Sequence, residues 1–599
     1  MAARTLHEEG QHRAKRISSN PPSLTLHGKA AFIPTEVPAL TSGAAPYLDA
    51  VALEIAWGRV RAVIDEAEAT LIRTSFSPLV REACDFGVLL LDASAGSVAQ
   101  SQRSMPSFVG TLPRTLRAGL ERFPPSTWRP GDVFATNDPW LGTGHLPDMT
   151  AVRPIFRGGR PIAYAGCIAH WSDVGGAIWS ADTNEVFEEG LRLPPCKLVD
   201  AGTLNEDIAS IVLGNVRLPE QVLGDLHAQL ATMEVTERRL LELLDDLGLD
   251  DPAPLFAAVQ GRTEAAMRAA IAELPDGTYG HEIEIDGVRE PLLLRVGLTV
   301  AGEAIEIDWE GTSPQADRGI NETYNHAYAM SVYPIKCLLS PDVPNNEGAY
   351  RPITMRAPEG CLVNASYPAP VASRQLIGHY ISAVVMGALA HLVPERVLAD
   401  SGSPTFRIVF TGIGGDGKKY GAAFTLSGGM GARAEEDGLS AAPFPSNSGA
   451  TSIEMVEAAT PLVVRRRELR ADSGGPGRFR GGLGVDLDFE LHADRACTVS
   501  VMTDRVHHAP AGRFGGEPGA PNVVQRASGE LVNPKARTEL RPGERMRFQT
   551  AGGGGYGAAP ARDPALVQRD LEFGYVTPAA DETPGETPDA AGQLSEPTR

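Results

Sequence analysis

Apolar residues recur at helical spacing over about 48–73, where Val51, Ile55, Val60, Val63, Ile64, Ala67 and Leu71 fall on one stripe. A second amphipathic pattern covers about 219–247. Pro219 stands near its first turn, and Val222, Leu226, Leu230, Met233, Leu240 and Leu243 make its apolar face. A third helix is predicted over about 252–273, stopped by the turn signal Pro275-Asp276-Gly277. The run 375–395 is apolar enough on all sides to be a buried helix. Elsewhere strand-like patterns take over. Phe86 to Leu91 reads as a strand, and within 280–310 the series His281, Glu282, Ile283, Glu284, Ile285, Asp286 alternates like a half-buried one. Short strands alternating with glycine-rich turns are predicted over 404–430 and 480–555. The fold class is therefore mixed α/β (α+β) and multi-lobed, helix-rich in the N-terminal half and β-rich in the C-terminal half, with no internal repeat.

A chain of 599 residues is long for one domain, since domains run to roughly 100–200 residues. The composition shifts suggest a flexible N-terminal extension (1–45), an N-terminal α/β lobe (46–275), a central α/β lobe (276–470), a β-rich C-terminal lobe (471–576) and a disordered tail (577–599). Lys and Arg number 54 against 75 Asp and Glu, a net charge of −21. An acidic surface repels phosphate backbones, which argues against a nucleic-acid partner. Six cysteines without a C-x-x-C pair read as reduced thiols of a cytoplasmic protein. No signal-peptide core and no run of about 18 apolar residues is present, so no membrane association is expected.

Candidate chemistry concentrates between Asn137 and Leu198. The string NDPWLGTGHLPD ends in His145-Leu-Pro-Asp148, and an apolar run ends in Cys167-Ile-Ala-His170-Trp-Ser-Asp173. Two of the chain's 13 histidines thus stand here, each followed three residues later by an aspartate. Neutral imidazole with carboxylate suits Zn²⁺, Mn²⁺ or Fe²⁺. The spacing is equally compatible in kind with two hydrogen-bonded core histidines whose aspartates cap turns. Further on, Gly412-Ile-Gly-Gly-Asp-Gly417-Lys418-Lys419 has the outline of a phosphate loop but ends in Lys rather than Ser or Thr, and a hairpin turn accounts for it better.

The block NDPWLGTGHLPDMTAVRPIF is similar to that of hydantoinase B/5-oxoprolinase subunits. AHWSDVGG and EEGLRLPPCKL resemble the two blocks that follow it there. Arg81-Glu-Ala-Cys-Asp85-Phe, GNVRLPEQVLGDLHAQLA (214–231), LLSPDVPNNEGAYRPITMRAPEG (338–360), DSGGPGRFRGGLG (472–484), TDRVHHAPAGRFGGEPGA (503–520) and GGGGYG (552–557) continue the match in family order. The resemblance implies a B-type subunit with one divalent metal site, its ligands carried over as His145, Asp148 and His170 with Asp85 as a fourth candidate. Many relatives have a histidine where this chain has Trp171, which argues against a ligand there. The resemblance also implies an A-type partner with an actin-like ATPase fold, which uses ATP and Mg²⁺ to phosphorylate a carbonyl oxygen, in a hetero-oligomer. The expected activity is ATP-dependent hydrolysis of cyclic amides. ATP-dependent ketone carboxylation, and a scaffold role without catalysis, are the alternatives.

Within that frame, Asp173 is a candidate catalytic or ligating carboxylate, or else the cap of the Gly175-Gly176 turn. Glu188 and Glu189 are candidate general bases, with a solvated acidic pair as the other reading. Arg192 and Lys197 are candidates for holding a substrate carboxylate or phosphate. Asn137 and Asp138, before Pro139, are expected to shape the loop rather than bind the ion.

Overall fold

The computed structural model describes residues 49–578, apart from 178, 179, 416, 418 and 451. The expected extension over 1–45, and all but the first two residues of the expected tail, lie outside the described residues. The first helix, Ala50–Thr74, starts where the Asp49 side chain accepts the Ala52 N–H, satisfying a donor that the helix cannot pair internally. Its buried stripe runs Ala56, Trp57, Val60, Val63, Ile64, Ala67, Leu71. Val51 and Ile55, expected on that stripe, are 67% and 60% exposed, because Ala56 and Trp57 take the inward positions of the opening turns. The long helix Pro219–Leu247 begins with proline and ends at Gly248, whose φ of 65° lets its N–H close on the carbonyls of Asp245 and Leu244. The helix Ala253–Ala272 matches its expected span.

These helices cover a seven-stranded antiparallel sheet made of β1 (Phe86–Asp92), β2 (Ser97–Gln100), β3 (Val133–Thr136), β4 (Asp148–Arg157), β5 (Arg160–His170), β6 (Cys196–Asp200) and β7 (Thr203–Leu204), in the order β2-β1-β5-β4-β3-β6-β7. The β4–β5 hairpin turns through Gly158-Gly159, both at positive φ, as a tight two-residue connection requires. Both faces of the sheet are buried. Val88 and Leu90 join the core under helices Ala50–Thr74 and Pro219–Leu247. Leu89 and Leu91 point the other way, to Phe108, Leu112 and Leu116 of a helix at Pro106–Arg122. That helix, and Tyr324–Leu339 further on, escape the helical pattern search because each carries an internal proline, Pro113 and Pro334.

A second sheet follows, of β8 (Gly277–Ile285), β9 (Leu292–Ala301), β10 (Ala304–Asp308) and β11 (Ile353–Arg356), in the order β11-β10-β9-β8. Against it packs the helix Gln375–Leu389, all of whose residues are buried, and which stops short of the expected residue 395. The C-terminal part carries β12 (Phe406–Ile413), β13 (Lys419–Leu426), β14 (Leu462–Leu469), β15 (Val485–Leu491), β16 (Cys497–Met502), β17 (Val523–Arg526), β18 (Arg537–Leu540) and β19 (Arg545–Gln549). They form two four-stranded sheets, β13-β12-β16-β18 and β14-β15-β19-β17, around one core. Phe410, Phe424, Phe489 and Phe548 meet there ring against ring. The β12–β13 hairpin pairs Gly412 with Tyr420 and Ile413 with Lys419.

The glycine-rich runs depart from expectation. They are not turns between strands. Gly481 donates to the Gly475 carbonyl, Gly475 to Gly553 and Gly553 to Gly482, so that 472–484 and 552–557 lie backbone against backbone. A Cβ on Gly481 would stand 1.9 Å from the Gly553 oxygen, and one on Gly552 1.7 Å from that of Ser473. Close approach excludes side chains here.

Candidate metal centre

Three neighbouring strands end together at one edge of the seven-stranded sheet. β4 opens at Asp148 and β5 closes at His170, and the two residues face each other in register. On the other side of β5, Phe86 opposes Ala169, and the His170 N–H donates to the Asp85 carbonyl at 3.0 Å. Asp85, His170 and Asp148 therefore sit in a row set by ladder hydrogen bonds. His145 comes from the loop before β4. Asn137 fixes that loop: its amide donates to the carbonyls of Leu146 and Leu191, and its oxygen accepts from the Leu193 N–H. Gly144, at φ 90°, carries the chain past Arg374, whose Cδ would lie 2.7 Å from any Cβ there.

His145, Asp148 and His170 each place one ligand atom within 4.8 Å of the others, and all three are buried. His145 Nε2 is 2.8 Å from Asp148 Oδ2, and His170 Nδ1 is 2.7 Å from Asp148 Oδ1. Thr143 donates its hydroxyl to Asp148 Oδ2 at 2.6 Å, and Arg374 Nη2 donates to the same oxygen at 2.8 Å. Asp85 Oδ2 lies 3.7 Å from His170 Nδ1 and 3.5 Å from Arg407 Nη2.

Burial and the neighbouring Arg374 charge push the His145 imidazole down to about 3, so it stays neutral and keeps a lone pair. Burial alone would raise the Asp148 carboxyl, but the charges and hydrogen bonds of His145 and His170 hold it well below the usual carboxylate range. Asp85 is raised by burial, against the pull of His170 and Arg407. His145 Nδ1 has no hydrogen-bond partner among the described residues. Two imidazoles and a carboxylate are a donor set for a first-row divalent ion, so these residues fit such a group.

The other candidates are not brought to this cluster. Asp173 accepts from the Gly175 N–H and from Arg217, the turn-capping arrangement. Glu188 is exposed and accepts from Asn184. Glu189 is buried, accepts from Thr183 and the Val371 N–H, and is pushed up to about 7 by burial. Arg192 lies over the Tyr367 ring at 4.7 Å and near Asp138. Lys197 donates to Asp132 and to the Thr127 carbonyl. None of these five lines the cavity beside the imidazoles. The Trp171 indole donates to Gln229, whose amide in turn bonds the carbonyls of Met149 and Cys167. Burial drives the Cys167 thiol up to about 12, leaving it a poor nucleophile. His508 bonds Asp286, whose carboxylate also accepts the N–H groups of Val506 and His507.

The cavity is lined instead by groups the sequence pattern does not single out: His326, Arg374, Gln375, His379, Thr405 and Arg407, besides Asp85, His145 and His170. His326 pairs with Glu322 at 2.8 Å, one helical turn earlier. Burial and Arg374 depress His326 well below its ordinary value, and burial raises Glu322 well above its own. Arg374, Gln375 and His379 open an otherwise apolar helix. A charge and two amphoteric side chains within a buried apolar run are the signal that could have marked them.

Comparison with known proteins places the whole chain rather than the cluster. The hydantoinase B/oxoprolinase family profile matches residues 49–559. The caprolactamase subunit beta of Pseudomonas jessenii is 30% identical over 553 residues, covering 88% of this chain and 94% of that one. The 5-oxoprolinase 1 of Arabidopsis thaliana is 27% identical over 85% of this chain, which spans 42% of that longer protein. The crystal structure of the ATP-dependent caprolactamase from P. jessenii superposes with a TM-score of 0.83 at 28% identity, covering 89% of this chain and 95% of the other. A nucleotide-free acetone carboxylase shares the fold with a TM-score of 0.78 at 20% identity. With a profile spanning nearly the whole of the described chain, and caprolactamase subunit beta alike over most of both chains, this protein belongs to the hydantoinase B/oxoprolinase family.

Proposed function

We propose that the chain is the B-type subunit of an ATP-dependent cyclic-amide hydrolase, holding one divalent ion (Zn²⁺, Mn²⁺ or Fe²⁺) through His145, Asp148 and His170. The observation that carries the reading is the meeting of those three buried side chains at adjoining strand ends. Caprolactamase subunit beta is named as one subunit of its enzyme, which supports an A-type ATPase partner here. An amide carbonyl resists attack because nitrogen donates into it. Phosphorylation of its oxygen by the partner removes that resistance, and this chain receives the activated intermediate. A divalent ion in such a site polarises oxygen and brings water within reach of deprotonation at about neutral pH. The chain's own groups do the rest. Asp148 stays ionised, His145 stays neutral, and Thr143 and Arg374 fix the carboxylate's orientation. Asp85 stands beside His170 as a fourth ligand or an orienting carboxylate.

Copurification with the A-type subunit tests this, with ATP hydrolysis and products followed for hydantoins, oxoproline, lactams and aryl ketones. Substrate-stimulated phosphate release with a ring-opened acid is the expected result. A product formed only from a ketone, with bicarbonate, would replace the reading with carboxylation. Absence of bound metal from both the native chain and His145→Ala would leave a scaffold role.

A further inference from the structure

We propose that the cavity beside His145 and His170 is an oxyanion site, in which Arg374, Arg407, Gln375 and His379 take the phosphoryl group of the activated intermediate; this rests on the function proposed above. The donors converge from two parts of the fold. Arg374 and Gln375 come from the start of the buried helix Gln375–Leu389, His379 from its next turn, and Arg407 from β12.

Among the described residues, the bonding of Arg374 and Gln375 leaves donors over. Arg374 spends Nη2 on Asp148 and His145, while its Nε is buried without a partner. Gln375 is 2% exposed, lines the cavity, and has a partner for neither its amide nitrogen nor its oxygen. A carboxamide is not left bare in a protein interior without a ligand or solvent to meet it. His379 Nδ1 receives the Thr405 N–H at 3.1 Å, and a backbone amide can only donate, so the imidazole proton sits on Nε2. Thr405, Ser446 and Ser448 also line the cavity. The helix itself, 15 residues long, points its positive end at the space.

The charge count favours a dianion. Two guanidinium groups face the two carboxylates Asp85 and Asp148 across 3.5 and 2.8 Å. With both carboxylates ionised, a divalent cation held by His145, Asp148 and His170 would make the enclosed charge positive by two. A phosphoryl group, carrying about two negative charges near neutral pH, closes that balance, and a single carboxylate does not.

Calorimetric titration of the full chain with inorganic phosphate and with acetate, on samples of known metal content, tests the site. Phosphate is expected to bind at least about tenfold more tightly than acetate. Gln375→Leu and Arg407→Lys are each expected to weaken phosphate by about tenfold or more with metal retained, since they remove a donor and a planar fork without touching the three ligands. Should one variant fail to fold, the other decides together with the native phosphate-to-acetate ratio. Metal-loaded native chain that takes up no phosphate at roughly millimolar concentration overturns the inference, as do variants that bind like the native chain or acetate that binds as well as phosphate. These outcomes leave the proposed hydrolase intact. Its failure reads separately, as missing metal or missing substrate-stimulated ATP hydrolysis.

Discussion

The seven-stranded sheet and the C-terminal sandwich are both made of strands buried on their inner faces, yet they invest that burial differently. In the sandwich, Phe410, Phe424, Phe489 and Phe548 fill the space between the sheets with ring contacts at 4.6–6.5 Å. At the edge of the seven-stranded sheet, the ends of β1, β5 and β4 bury Asp85, His170 and Asp148 instead. Burial of apolar rings stabilises the folded chain, whereas burial of ionisable groups costs free energy unless they are paired. The difference teaches that these strand ends carry costly polar groups held in shape by the apolar layers around them, as the proposed metal centre requires, while the sandwich core buries apolar side chains that stabilise it.

Mutations should separate the two regions. His170→Ala is expected to abolish metal binding and lower substrate-stimulated turnover by more than about 100-fold, beyond the effect of losing an outer partner, with the melting temperature little changed. Metal analysis and a thermal melt on one sample check it; retained metal would sink the ligand assignment. Phe489→Ala should do the opposite. It removes a ring with no exposed surface, so unfolding should become easier by about 3–5 kcal/mol while metal content stays at the native level. Denaturant titration measures the cost, and a loss of metal without a loss of stability would erase the contrast.

Glu189 sharpens the comparison, as a buried acid next to neither region's centre. Its carboxyl is raised from 4.5 to about 7 by burial, and its Oε2 has no hydrogen-bond partner among the described residues. Between those values the folded chain holds a proton that the unfolded chain releases, so the stability it contributes is full below pH 4.5 and fades as pH rises through about 7. Glu189→Gln should therefore flatten that loss and stabilise the chain at pH 8 by up to roughly 3 kcal/mol, at about 1.4 kcal/mol per tenfold in proton affinity. Unfolding curves at pH 5 and pH 8 test it; an equal gain at both would remove the titration from the account. Thr143→Val, the smallest change, deletes one hydroxyl donor to Asp148, and metal affinity should fall by about tenfold with little effect on the melt.

What the sequence made legible follows from how local each signal is. Helices with unbroken apolar spacing, such as Pro219–Leu247, and the strand at Phe86 could be read directly. His145, Asp148 and His170 could be read because they crowd into one short segment among motifs shared with a family. Arg374 and Gln375 are harder to read, since they reach the site from a helix more than 200 positions downstream, and only their polarity within a buried apolar run marks them. Asp173, Glu188, Arg192 and Lys197 show the reverse: chemical side chains close to the motifs in sequence, but turned by local turns and ion pairs toward Arg217, Asn184, Tyr367 and Asp132. The glycine runs were misread as turns because composition reports conformational freedom and close backbone approach in the same letter.

The hairpin that joins Asp148 to His170 closes a loop of only 22 positions, whereas the contact from Arg374 to Asp148 closes 226. Short loops form early and long ones late in a collapsing chain. The proposed ligand trio can thus come together while the molecule is still assembling, and Arg374 arrives afterwards. On that proposal, an ion present during synthesis would meet a nearly finished cradle on a half-built protein, and one offered only to the mature chain would find the guanidinium already bonded to Asp148.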